Sequence, residues 1–149
     1  MATRMVRWTV AKAALDVLRE TPGLSGVTVS DHFPGDAVTS EAIWTGEIDG
    51  EISYPNASGQ TRKQRDEMFT VPIVIRVTGG LDFGSCRDRL EEILATVESV
   101  FADFTVAVYD QVDGLLELTV ADPVSDAQDT PIGALGFARI DLLGHARLT

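Results

Sequence analysis

Cysteine is almost missing from this chain: Cys86 stands alone among 149 residues. A single thiol closes no internal disulfide, so packing must hold the fold, and the count fits a reducing compartment. Histidine occurs twice, as His32 and His145, far apart in sequence. No Cys/His cluster has the spacing of a metal site, and each histidine reads as structural. No apolar run approaches the ~18–20 residues of a membrane helix. Met1–Val10 lacks the continuous apolar core and cleavage pattern of a signal peptide, so synthesis in the cytoplasm is expected. Basic residues are scarce, with 12 Lys and Arg against 23 Asp and Glu and a net charge of −11. That balance repels phosphates and disfavours sequence-specific DNA binding, although DNA could still pass nearby. Gly79-Gly80 precedes a helical pattern, but no phosphate-loop motif follows. The expectation is a protein with no catalytic residues, no cofactor and no metal, and therefore not an enzyme.

What is present is alternation. Ala42, Trp44, Gly46, Ile48, Gly50, Ile52 and Tyr54 occupy one side of a period-two run, with Thr45, Glu47, Asp49, Glu51 and Ser53 on the other. A second run places Glu67, Phe69, Val71, Ile73, Ile75 and Val77 on one side and Thr70, Arg76 and Thr78 on the other. Such patterns predict the two arms of a long antiparallel β-hairpin. The polar loop Pro55–Asp66 between them far exceeds the about two to five residues a hairpin needs. Pro72 removes one donor from the second arm, which predicts an edge or a bulge there.

Helical spacing appears twice. Val6, Val10, Ala13, Ala14, Val17 and Leu18 form one stripe, ended by Pro22-Gly23. Cys86, Leu90, Ile93, Leu94, Val97, Val100 and Phe101 form another, capped by Asp82 or Ser85 and running to about Ala102. Val27–Phe33 reads as a short strand, and Leu115–Ala121 as another. Phe104–Asp113 is a short strand or an irregular bridge. Asp122–Pro131 reads as an acidic loop. Leu135–Leu148 reads as a final strand, apolar on both faces and so covered on both over part of its length. The predicted order is α-β-β-β-α-β-β, an α+β fold in one domain over residues 1–149. Its antiparallel sheet carries the long hairpin and packs against two amphipathic helices.

Two clusters remain as candidate contact sites. Arg62, Lys63 and Arg65 form a basic patch in the loop that reads as a solvated loop, as a contact for an acidic neighbour such as a second copy of this chain, or as a DNA contact, which the acidic surface opposes. Glu47, Asp49 and Glu51 form an acidic row pointing away from Ile48 and Ile52. Three carboxylates in a row could bind a hard cation, but a solvated face is the simpler reading.

The chain as a whole resembles the tail terminator proteins of long-tailed bacteriophages, also called tail completion or minor tail proteins. The resemblance lies in the layout. A first helix ends in Arg19-Glu20, and the long hairpin returns through Arg65-Asp66-Glu67-Met68-Phe69-Thr70-Val71. The helix Arg89–Glu98 follows, and a closing strand ends in Ala138-Arg139-Ile140-Asp141-Leu142. It implies a structural virion protein at the head-proximal end of the tail. There a homo-hexameric ring would cap the tail tube, end its polymerisation and dock the head-neck connector. DNA would cross that ring without specific binding, and no membrane is involved. Glu47, Asp49 and Glu51 would then face the lumen or a neighbouring subunit. The alternatives are a head-side connector or stopper of the neck, and a small ligand-binding domain.

Overall fold

A computed structural model describes residues 5–35, 40–54, 65–79 and 82–148. It contains α1 (Val6–Arg19), β1 (Thr28–Ser30), β2 (Glu41–Thr45), β3 (Asp49–Ser53), β4 (Arg65–Val77), α2 (Phe83–Ala107), β5 (Leu115–Val120), β6 (Val124–Thr130) and β7 (Gly133–Leu148). These seven strands make one sheet with the path β1-β2-β4-β7-β5; β3 also pairs with β4, and β6 with β7. The fold is α+β, with both helices on one face of that sheet.

β4 and β7 form its spine, paired antiparallel from Arg65↔Leu148 to Val77↔Gly136. Glu67, Phe69, Val71, Ile73, Ile75 and Val77 are all buried under the helices, as period-two geometry requires for one face of a strand. From α1, Val10, Ala14 and Leu18 are fully buried, and from α2, Val97 and Phe101. Burying a side chain the size of Leu18 stabilises the fold by about 1.5–3 kcal/mol.

Pro72 explains the largest departure from the sequence reading. The predicted first arm, Ala42–Tyr54, is not one strand. It breaks at 46–48 into β2 and β3, which lie end to end along β4. Pro72 faces that break. Its carbonyl accepts from the Gly46 N–H at 2.9 Å, so the donor its ring removes lies on the same side, where the ladder is already interrupted. β4 therefore runs unbroken through a proline in mid-sheet. Gly46 fits because an added Cβ would lie 3.2 Å from Pro72 Cγ.

Other expectations change with it. The order is α-β-β-β-β-α-β-β-β, because Val124–Thr130 is a strand, not a loop, paired with β7 from Val124↔Arg139 to Thr130↔Gly133. The sheet is not wholly antiparallel, since β1 runs parallel to β2. β7 alternates buried and exposed along its length, so it is covered on one face only; its Leu143 and Phe137 lie on the other. α2 runs past Ala102 to Ala107, and its buried stripe continues through Phe104. Ile43 joins the core beneath the helices, whereas Trp44 faces the opposite side. The buried face of α1 takes in Arg7, Ala11 and Leu15, with Ala13 and Val17 only half-buried.

Arg7 turns inward because Glu67 is there. The Glu67 side chain is completely buried; it accepts from the Val6 N–H at 2.7 Å and from Arg7 Nε at 2.5 Å. One carboxylate thus satisfies an orphan donor at the start of α1 and pairs a buried guanidinium. Gly50 makes room, since a Cβ there would collide with the Arg7 guanidinium.

Candidate assembly surface

Among the described residues, the face of the sheet opposite the helices is covered at one end only. There the Phe33 ring meets Trp44 edge-on at 5.2 Å, and the Arg76 guanidinium lies 5.4 Å and 5.6 Å from the two ring centroids. Arg76 Nη2 donates to the Gly35 carbonyl at 3.0 Å, and Thr45 Oγ1 donates to the Asp31 carbonyl at 2.8 Å. The Arg76 contacts hold Phe33 and Gly35 over the β2 end of this face, while Thr45, on the helix side of β2 with Ile43, secures Asp31 from the other side.

The other end is open. Register places Glu51 opposite Met68, Met68 opposite His145, and His145 opposite Glu117. The adjacent row is Asp49, Thr70, Leu143 and Thr119. Together they line a shallow trough of about 660 Å³. Met68 is 53% exposed and Leu143 42%. The trough therefore has an apolar floor with carboxylates on both walls: Asp49 and Glu51 on one, Glu117 on the other. Gly144, on the helix-covered side of β7, carries no side chain because the paired Phe69 ring lies across its backbone and would collide with any Cβ there.

At the mouth of the trough, Asp66 binds Arg147 through both oxygens, at 2.9 Å and 3.2 Å, and lies 3.3 Å from His145 Nε2. The Arg147 hydrogen bonds pull the Asp66 carboxyl below its ordinary pKa, with His145 adding to this and desolvation opposing it. Farther along the face, Asp141 hydrogen-bonds Arg139 and raises the guanidinium pKa; Asp49 contributes from a distance.

The sequence candidates separate. Asp49 and Glu51 share the trough, but Glu47 does not. It lies in the turn between β2 and β3 and lines a second concavity of about 640 Å³ with Trp8, Lys12, Leu15 and Ile48. Arg65 is not a loop residue: it opens β4, half-buried, opposite Leu148. Arg62 and Lys63 lie outside the described residues. The sequence does not mark Glu117 and His145 as neighbours of Asp49 and Glu51. The available signal is the alternation of Glu117 and Thr119 with Leu116, Leu118 and Val120, but nothing local reveals which strand lies across the sheet. Among the described residues, no three His, Cys, Asp or Glu side chains gather as metal ligands. Cys86 is buried against the Val77 carbonyl, and burial raises its thiol pKa. No described helix is long and apolar enough to cross a membrane.

No family model and no curated protein sequence matches the chain. Among solved structures, one described as the virion of a native gene transfer agent particle aligns over 97% of this chain and 98% of its own, with a TM-score of 0.46 and 20% identity. The trough itself is an exposed, mixed apolar and acidic sheet face, a chemistry suited to contact with another macromolecule.

Proposed function

We propose that this chain is a structural virion subunit that assembles into a ring on the end of a phage-type tail tube. There it ends tube growth and presents the surface on which the head docks. It acts by contact, without catalysis. The observation that carries the reading is the one-sided sheet. Helices cover one face, and the other exposes Met68, Leu143 and Phe137 among carboxylates. Among the described residues the sheet is also open at both flanks: β1 and β3 have no outer partner on one side, nor β5 and β6 on the other. Two different free surfaces on one subunit favour head-to-tail contacts, which close into a ring when the rotation per subunit permits. The resemblance to tail terminator proteins motivates the tail-end placement, and co-purification with tube protein rather than with a portal-side protein distinguishes it from a head-side connector. The test is mass measurement and negative-stain imaging of the purified chain, followed by incubation with tail tubes. Rings of uniform diameter sitting at tube ends are expected. A monomer that leaves tubes uncapped would overturn the reading.

A further inference from the structure

We infer that the open trough is the receptor for residues 55–64 of a second copy of this chain. This deepens the ring reading and rests on it. The argument is charge and shape complementarity between two parts of one sequence. Segment 55–64, PNASGQTRKQ, carries Arg62 and Lys63 and no carboxylate, in a chain of net charge −11. The trough presents the opposite charge: Glu51 and Glu117 stand on its two walls and make no ion pair among the described residues. The nearest cations of the same face are already matched, Arg139 by Asp141 and Arg147 by Asp66. An incoming Arg and Lys would therefore meet free carboxylates. Their aliphatic stems would lie on Met68 and Leu143, and so cover the exposed floor.

The second copy is favoured because a head-to-tail contact needs two unlike, complementary patches on each subunit. The basic segment and the acidic trough are such a pair. Each contact is weak, but a closed ring repeats it once per subunit, and the contacts reinforce one another.

Charge reversal tests this directly. One variant carries Glu51→Lys and Glu117→Lys, and the other Arg62→Glu and Lys63→Glu. Assembly mass is followed by light scattering against concentration, with circular dichroism as the check on folding. Each variant alone is expected to raise the concentration for half-assembly at least tenfold. An equimolar mixture is expected to restore it, since each reversed patch then meets a complementary one. Restoration also shows that both variants fold. Assembly unchanged in both variants would overturn the docking and leave the ring reading standing. Rescue only when all four changes share one chain would also overturn it, because the segment would then be occupying its own trough. An oligomer other than a ring, dissolved by reversal and restored by mixing, would keep the docking and remove the ring. A wild-type chain that stays monomeric at every concentration would overturn both.

Discussion

Glu67 is the residue on which the α1–sheet junction turns. Its carboxylate is fully buried and answers both the Val6 N–H and the Arg7 guanidinium. Removing Arg7 would leave that carboxylate buried without its cation, a loss of about 3–5 kcal/mol. Arg7→Ala is therefore expected to lower the unfolding free energy by that amount in urea titration, and Glu67→Gln, which can still accept from Val6, by less. A second sensitive position is Gly144. A methyl there collides with Phe69, so Gly144→Ala should cost about 1–3 kcal/mol. Combining it with Phe69→Leu should relieve part of that cost. Strict additivity of the two changes would show that the ring is not what Gly144 accommodates.

At the scale of elements, caps and strand-to-strand ion pairs set the response to acid. Asp82 caps α2 by accepting from the Ser85 N–H at 2.8 Å and the Ser85 hydroxyl at 3.0 Å. Asp66 joins β4 to β7 through Arg147. In both, these hydrogen bonds to the ionised carboxylate depress its pKa. The sign follows from linkage. A carboxyl whose folded pKa is depressed contributes stability above its unfolded pKa, and loses it as pH falls through the folded one. Stability should thus be level near neutrality and decline below about pH 4, where an unperturbed Asp titrates. Asp66→Asn and Asp82→Ala should each lower the urea midpoint at pH 7 and flatten the acid decline. A variant whose midpoint falls in parallel with wild type at every pH would remove the carboxylate from the account.

For the whole molecule, charge governs association. Repulsion at net −11 opposes association, so assembly must rest on specific contacts that outweigh it. That charge vanishes near pH 4.4, the isoelectric point of the sequence, where non-specific association and a solubility minimum are expected by turbidity. Specific assembly should differ by being sensitive to position at pH 7. Glu47→Lys, in the turn beside α1, should leave assembly mass unchanged, whereas Glu51→Lys, in the trough, should reduce it. Equal effects from the two would mean that bulk charge, rather than the trough, controls assembly.

The sequence alone determined whatever depends on local period. The β4 alternation put Glu67 on the same side as Phe69, Val71 and Ile73, and the α2 stripe named the residues that face the sheet. It determined as well that a polar stretch with a basic cluster follows an acidic run. What it did not determine is what depends on partners distant in the chain. The acidic row was legible as a row, but Pro72, lying across the sheet, marks where the arm divides, and so Glu47 leaves Asp49 and Glu51. Val124–Thr130 is polar and would not be a strand alone; β7 supplies the backbone partners that make it one. The trough unites Glu51 from β3 with Glu117 from β5, across two intervening strands. Side-chain alternation specifies a face, but only the tertiary pairing of strands specifies which faces become neighbours, because hydrogen-bonded register is a relation between segments and not a property of either one.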